Sequence, residues 1–483
     1  MSVLTFFDIW SLTTWALLAC TVLFTIFLRR YLCVDKKKTA KRADRNPLPV
    51  PGLTPLNAEA GNIPDIASAG SLHQFLTNLH AEFGPVASFW YGSRQVLSTS
   101  HPSTFKPQIH SFDRPEFLFE NIKPVFGEGS IQYMNGVKGQ RFRNQLDKAF
   151  TQQQSESYLP LFVELAQNVA YKWSQAENGR VPLHADMLSF ALRAMMQSSF
   201  GDFFKSDEAC QEFCENYDNC FHALDEHLGD PDKPLSDKFH QAIEGMKAQI
   251  RVIVEERRTN PPAEGGRILI DEILDISESL QQIYDLSLTY AVAGFHTTGT
   301  LLSWLLYELA RNSDIQTEVR QEFADVMGEE DELQSFHLKS LAFTRNAIDE
   351  AMRVSFLAPY AARHADRDMT IGGYFVPKDT PIFQALGVAQ QNPKLWPEPK
   401  EFLPRRPGIV QQHQGDSLSC PFFGFAGKRK CPGFRMAYIE VYAMLSVLLR
   451  RFEIRLEKDD EVEKQIGFVT HPATEIWALV TSV

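Results

Sequence analysis

The sequence predicts a mainly α-helical protein with small β-sheets, and three observations carry that prediction. The stretch Ile283 to Leu309 is apolar on nearly every face, as a helix crossing a protein interior must be. From about Ser155 to Asn260, amphipathic helical patterns alternate with acidic turns and offer no strand signal. Strand signals are short, the clearest being the aromatic and β-branched residues between turn glycines in GPVASFWYGSRQVLSTS, which read as a hairpin.

Composition narrows the class further. The chain has 483 residues, 44% hydrophobic and 22% charged, as an ordinary folding chain does, and its net charge of −12 argues against general nucleic-acid binding. No Pro/Gly/Ser-rich linker divides it after the first fifty or so residues, so one large core is expected. Seven cysteines without framework spacing suit a reducing compartment. Cys210, Cys214 and Cys220 with His222 form a conceivable metal cluster, but the stretch is helical and acidic in pattern, which speaks against one.

Trp10 to Leu28 carries no charge, and roughly 20 residues at 1.5 Å each span the ~30 Å hydrocarbon core of a bilayer. A cleaved signal peptide would want positive charge before this run, whereas Asp8 precedes it and Arg29, Arg30, Lys36, Lys37 and Lys38 follow. A single transmembrane anchor is therefore expected over residues 1–30, with the body in the cytosol. Residues 31–56 form a basic hinge stiffened by Pro47, Pro49, Pro51 and Pro55, and residues 57–483 form the folded domain.

Along that domain a helix is expected over Ser71 to Ala81, followed by the hairpin. FDRPEFLF is a proline-broken apolar loop, and a helix over VKGQRFRNQLDKAF carries Arg143. A lone arginine there is either a solvated helix face or an anion contact. The apolar run over Ile283 to Leu309 is read as an interior helix, since Asp285, His296 and Glu308 lie inside it and no basic flank would stop a membrane span. Within it, AGFHTT places Gly294, His296, Thr297 and Thr298 in an apolar setting, where polar groups need partners or a purpose. Threonine hydroxyls bonding back to carbonyls one turn earlier are the plain alternative. A helix over residues 340 to 356 carries Glu350 and Arg353 on one face. After it come a proline-bent segment with Arg363 and a hairpin over Gly372 and Gly373.

Cys431 stands apart from the other cysteines. Gly427 precedes it, Pro432 and Gly433 follow, and an apolar helical run comes next, so the thiol sits on a tight loop opening a helix. A helix N-terminus and the cations Lys428, Arg429 and Lys430 favour the thiolate, which is a ready metal ligand. A buried structural cysteine is the plain alternative.

The pattern Gly427, Cys431, Gly433, Ala437 and Glu440 resembles the haem-ligand signature of the cytochrome P450 superfamily, in which a cysteine thiolate is the proximal ligand of haem iron. The resemblance runs from about Pro47 to the C-terminus. Arg429 falls at a haem-propionate position, as does Arg363. Gly136 and Arg143 match a G-x-x-W-x-x-x-R pattern whose tryptophan is replaced by Gly139. Ala293, Gly294 and Thr297 match the oxygen-activation motif, with His296 in the place of its acid. Glu350, Arg353 and Arg406 match the buried E-x-x-R set. The phenylalanine seven residues before the cysteine is Gly424 here, flanked by Phe423 and Phe425. The stretch Gly61 to Gly92 is similar to the animal family 20, which implies no settled substrate.

The resemblance implies a mainly helical fold with small sheets, haem b bound through Cys431, and further haem contacts from Arg143, Arg363, Arg429, Gly433 and Phe425. It implies insertion of one oxygen atom of O2 into an apolar small molecule of lipid, sterol or xenobiotic type. Electrons would come from NADPH through NADPH–cytochrome P450 reductase, with cytochrome b5 as a second donor, at the endoplasmic reticulum membrane. Thr297 and His296 are the expected catalytic residues, an imidazole near its ordinary pKa of about 6.5 replacing the carboxylate as proton relay, with a neutral histidine hydrogen-bonded to a carbonyl inside the helix bundle as the plain alternative. Two other classes stay open: a haem-thiolate isomerase or dehydratase of a peroxide, which needs no proton relay, and a non-enzymatic haem protein that binds a ligand.

Overall fold

The computed structural model describes residues 48–118, 120–229, 234–263, 265–412, 422–423, 427–458 and 461–483. The expected transmembrane segment, the basic part of the hinge, Gly424 and Phe425 lie outside the described residues.

Helix α1 spans Leu72–Phe83, one residue later than expected at its start, because the Ser71 side chain caps it by accepting from Gln74 N. The hairpin follows as β1, Val86–Tyr91, and β2, Arg94–Thr99, antiparallel in the register Val86↔Thr99 to Tyr91↔Arg94. Its apolar face covers α1, and Phe75 meets Phe89 edge-on at 5.1 Å between ring centroids. Helix α2, Gly136–Leu146, carries Arg143.

The stretch read as helical from Ser155 to Asn260 supplies α3, Leu159–Ser174; α4, Leu183–Phe200; α5, Asp207–Gly229; and α6, Asp237–Thr259. One correction applies. Arg180–Pro182 is a strand, β3, where none was expected. Three residues are too few to show an alternating pattern, and the strand exists because β11, Trp477–Ser482, pairs with it. Cys210 and Cys220 of α5 are buried and Cys214 half-buried.

Helix α7, Leu280–Arg311, is 32 residues long and spans roughly 48 Å. Ser279 caps it, accepting from Gln282 N at 3.2 Å. It is buried from Gln282 to Val292 and again from Thr298 to Leu309, packed chiefly along α4. Among the described residues no helix is long and apolar enough to cross a membrane, so the apolar run of α7 serves the protein core.

Helix α8 is Ser313–Met327 and α9 is Ala342–Ser355. The segment expected as a proline-bent connection is a strand, β4, Ala361–His364. The hairpin over Gly372 and Gly373 is present as β5, Met369–Ile371, and β6, Tyr374–Val376. Strand β7, Pro381–Gln384, pairs antiparallel with β4 and parallel with β2, giving the sheet order β1-β2-β7-β4. Helix α10, Phe434–Arg451, follows the Cys431 loop and runs into β8, Phe452–Leu456. Strands β9, Lys464–Ile466, and β10, Thr470–Pro472, form a two-stranded sheet, and β11, Trp477–Ser482, joins β8 to β3.

Glu350 and Arg353 of α9 are fully buried and paired through two bonds, Arg353 Nε to Glu350 Oε2 at 2.8 Å and Nη2 to Oε1 at 2.7 Å. Arg353 spends its other donors on the carbonyls of Gln390, Pro399 and Glu401. Arg406 joins the same carboxylate, Nε to Glu350 Oε1 at 2.8 Å. The expected three-residue set is therefore assembled, and it clamps the 390–406 segment onto α9.

Candidate active site

Cys431 lies on a loop closed by its own backbone, with Cys431 N donating to Phe423 O at 3.0 Å and Lys430 N to Gly427 O at 3.1 Å. Gly427 has φ +84° and stands so close to the chain that an added Cβ would lie 2.0 Å from Ile109 O. Gly433 caps α10 as expected, and its N–H points at the Cys431 sulphur. Cys431 is accessible, yet burial among the surrounding protein atoms pushes the pKa of its thiol up. The two facts agree if the sulphur faces a hollow inside the protein rather than the outer surface. The Gly433 N–H, Arg143 and Lys430 pull the pKa back. The helix-terminal N–H and Lys430 favour the thiolate, as the sequence leads one to expect, but burial outweighs them. A coordinated metal cation reverses that balance, because a coordinating thiol is deprotonated outright.

Four guanidinium groups stand around this loop. Arg143 is buried rather than a solvated helix face, and its Nη2 donates to Lys430 O at 2.8 Å while Nε holds Asp147 at 2.8 Å. Arg363 is 1% exposed on β4, with Nη1 donating to Ala362 O at 2.6 Å. Arg429 is buried and spends three N–H groups on backbone, on Phe112 O at 3.3 Å, Ile131 O at 2.9 Å and Met134 O. It therefore ties the 112–134 loops to the cysteine loop.

Arg114, on the FDRPEFLF loop, completes the group; its backbone N–H donates to Asn135 Oδ1 at 2.9 Å and its side chain bonds Gln132. Burial first, and then mutual repulsion, lower three of these cations: Arg114 to about 10, Arg429 to about 8 and Arg363 well below the usual arginine range. Such a concentration of positive charge away from water calls for an anionic partner.

The tryptophan replaced by Gly139 has a physical reason. An added Cβ there would stand 2.3 Å from Met134 O and 3.0 Å from Phe112 Cε1, both on the segments that Arg429 holds. The loop occupies the space a larger side chain would need.

Helix α7 passes beside this group at Tyr290. In a helix otherwise buried, Ala293, Gly294, His296 and Thr297 are accessible, and their spacing puts them on one face. Tyr290, one turn before Gly294, stacks on Phe150 at 5.7 Å and lies near enough to Arg143, Arg429 and Cys431 to feel their charge. Its buried hydroxyl has no hydrogen-bond partner among the described residues. Thr297 Oγ1 donates to Ala293 O at 2.7 Å, the back-bonding alternative considered for a buried threonine. His296 departs from expectation, since burial, with His471 second, lowers its pKa to about 4 rather than leaving it near 6.5.

These residues fit a flat dianionic cofactor with a central metal. An accessible cysteine, three buried cations and one half-buried one, and an orphaned hydroxyl stand together, and the accessible stretch of α7 begins one turn beyond that hydroxyl. Arg114 and Tyr290 were given no role from sequence. Arg114 was signalled only by being a charge inside an apolar, proline-broken loop, and Tyr290 by nothing local. Phe425 lies outside the described residues.

Comparison with known proteins agrees. The family model described as Cytochrome P450 matches residues 51–478. Cytochrome P450 20A1 of Bos taurus is 28% identical over 447 residues, covering 91% of this chain and 94% of the relative, and that of Homo sapiens is 28% identical over 450 residues with the same coverage. Isoflavone 3'-hydroxylase of Medicago truncatula is 24% identical over 442 residues, covering 82% and 85%. A family model spanning nearly the whole folded region, on a mainly helical fold with small sheets, identifies a haem-thiolate monooxygenase that uses O2; the chain belongs to the cytochrome P450 family.

Proposed function

We infer that this protein inserts one atom of O2 into an apolar small molecule of lipid, sterol or xenobiotic type, with electrons from NADPH delivered by NADPH–cytochrome P450 reductase and cytochrome b5 as an accessory donor. The observation that carries the reading is the accessible Cys431 among buried arginines, with Tyr290 of α7 beside it and the accessible α7 residues one turn further on. In this reading Cys431 would hold the haem iron, and Arg114, Arg143, Arg363 and Arg429 would neutralise its propionates, Arg429 also through the loops it holds. Gly433 would support the ligand through its N–H, and Phe425 is assigned to haem binding. The thiolate-bound haem supplies the oxygen chemistry. The chain orients the substrate against Ala293 and Thr297, excludes water, and moves a proton at the His296 ring.

Residues 1–30 anchor the protein in the endoplasmic reticulum membrane, 31–56 form the hinge, and 57–483 form the cytosolic catalytic domain. The charge balance gives no role to nucleic acid. A rearrangement of a substrate that is already a peroxide is the second reading, favoured by the bond that occupies the Thr297 hydroxyl and by burial that keeps His296 neutral.

Reconstitution with reductase, NADPH and ¹⁸O2 tests this reading. Label in the product supports oxygen insertion, and unlabelled product formed from a peroxide without NADPH supports the second reading. Cys431→Ser should remove the reduced-CO absorption band typical of thiolate haem; a surviving band would refute the ligand assignment.

A further inference from the structure

His296 does not stand alone. His471 of β10 meets it edge-on, with 5.8 Å between ring centroids. β10 is pinned to α7 beside it, since Trp304 Nε1 donates to Thr470 O at 2.8 Å. His184, in the first turn of α4, bonds Ser303 through Nδ1 at 2.8 Å. Ser303 lies seven residues beyond His296, two helical turns, and so on the same face of α7. Three histidines from α4, α7 and β10 thus gather along one strip of the central helix.

Their hydrogen bonds settle two of the tautomers. Ser303 Oγ donates to Gly299 O at 2.7 Å, so it accepts from His184, whose Nδ1 carries the hydrogen. His471 Nδ1 faces Pro472 O at 3.1 Å, and a carbonyl only accepts, so this Nδ1 carries the hydrogen too. Both rings keep the Nε2 lone pair for a proton. The charges acting on His184, after burial, are those of His471 and His296, and the charge acting on His296 is that of His471. Two neighbouring imidazolium ions repel, so the group holds one proton at a time.

The two ends of the file differ. At one end His296 borders the accessible stripe of Ala293 and Thr297. At the other, Ala185 is exposed, and Glu475 accepts from His184 N at 2.7 Å and from Ala185 N at 3.1 Å. Asp186 is turned away, held by Lys172 and by Trp173 Nε1. Among the described residues, three histidines here do not have the arrangement of a metal site.

We propose that His184, His471 and His296 form one relay that carries single protons from the Glu475 side of the surface to the cavity face of α7. The proposal rests on the oxygen-insertion reading of that face. Because the Nδ1–H groups of His184 and His471 stay on Ser303 and Pro472, each of these rings takes up and gives back the proton at Nε2, and one taken up at His184 is matched by one released from His296, with no net charge gained and no redox change. With the rings edge-on at 5.8 Å between centroids, transfer from His471 to His296 needs no more than one bridging water. Burial and mutual repulsion hold His184 and His296 at about pKa 4, so the proton passes without resting.

The test uses the full chain, haem-loaded, with reductase and NADPH, comparing His471→Gln, His471→Phe, His184→Phe and His296→Phe by peroxide released per NADPH and by solvent deuterium isotope effect. His471→Gln keeps a polar side chain but cannot titrate, so it rescues a structural role and not a relay. The relay requires His471→Gln, His471→Phe and His184→Phe to uncouple turnover on the order of the 10²-fold that a positioned proton carrier supplies, at unchanged haem content. Wild-type coupling and isotope effect in His471→Gln would overturn it, as would a silent His184→Phe beside an active His471 phenotype. A silent His296→Phe would instead sink the oxygen-insertion reading of the α7 face. A readout free of turnover is ¹⁵N-histidine NMR of the full chain. The relay requires coupled titration, with His296 rising toward its ordinary pKa in His471→Gln; three independent titrations refute it.

Discussion

Replacing Arg353 by lysine keeps the charge and removes the fork, so it isolates what five N–H groups do that three cannot. In the folded chain Arg353 serves both carboxylate oxygens of Glu350 and the carbonyls of Gln390, Pro399 and Glu401. Some of these acceptors have other donors: Arg406 reaches Glu401 O at 2.9 Å and Glu350 Oε1 at 2.8 Å, and Leu403 N reaches the same oxygen at 3.1 Å. Gln390 O, Pro399 O and Glu350 Oε2 depend on Arg353 alone among the contacts described. Each buried acceptor left unpaired costs about 1–3 kcal/mol, and breaking a buried ion pair costs about 3–5 kcal/mol in all. Arg353→Met should therefore lose about 3–5 kcal/mol, and Arg353→Lys about 2–3 kcal/mol, because its single ammonium cannot reach all three acceptors. With an unfolding entropy of about 2.1 cal/mol/K per residue, 483 residues give about 1 kcal/mol per degree. The expected fall in Tm is then about 3–5 °C for Arg353→Met and about 2–3 °C for Arg353→Lys. Thermal unfolding followed by far-UV circular dichroism reads both. A lysine variant as stable as wild type would refute the donor count, and a more stable methionine variant would show that apolar packing outweighs the ion pair here.

Two further changes probe other parts of the same core. The Glu308 carboxyl is pushed up to about 7 by burial, against the pull of Lys464 and Arg311. A folded-state pKa above the unfolded 4.5 means that protonation favours the fold; the contribution, about 3 kcal/mol, is complete below pH 4.5 and is lost as pH rises through 7. Glu308→Gln should flatten stability over that window in denaturant melts taken at several pH values, and an unchanged slope would locate the titration elsewhere. Gly139→Ala forces a Cβ to within 2.3 Å of Met134 O, so the loop held by Arg429 must move. Overpacking of this kind costs about 1–3 kcal/mol, and haem retention after dilution should fall with it; unaltered stability and retention would mean the loop yields freely.

Local pattern carried much of this protein into view. The apolar run around residue 295 determined a buried helix, because a segment without a polar face has nowhere to go but the interior. The glycines around Cys431 determined a tight loop before a helix, because they allow a backbone that other residues resist. The three-residue spacing of Glu350 and Arg353 placed both on one face of a helix. The loop and spacing patterns did not report burial of the individual polar groups, and that burial decided the chemistry. It raised the Cys431 thiol against its neighbouring cations and took His296 from near 6.5 to about 4. It turned Arg143 from a possible solvated side chain into a tie to the cysteine loop.

Only the tertiary structure set Arg114 and Tyr290 beside Cys431, paired β3 with β11 across nearly 300 residues, and lined up His184 and His471 behind His296. Helical and strand periodicity are written by neighbours in the chain, within reach of one or two turns. Desolvation, charge coupling and strand pairing arise from residues that are distant in sequence, and those meetings exist only once the whole chain has packed.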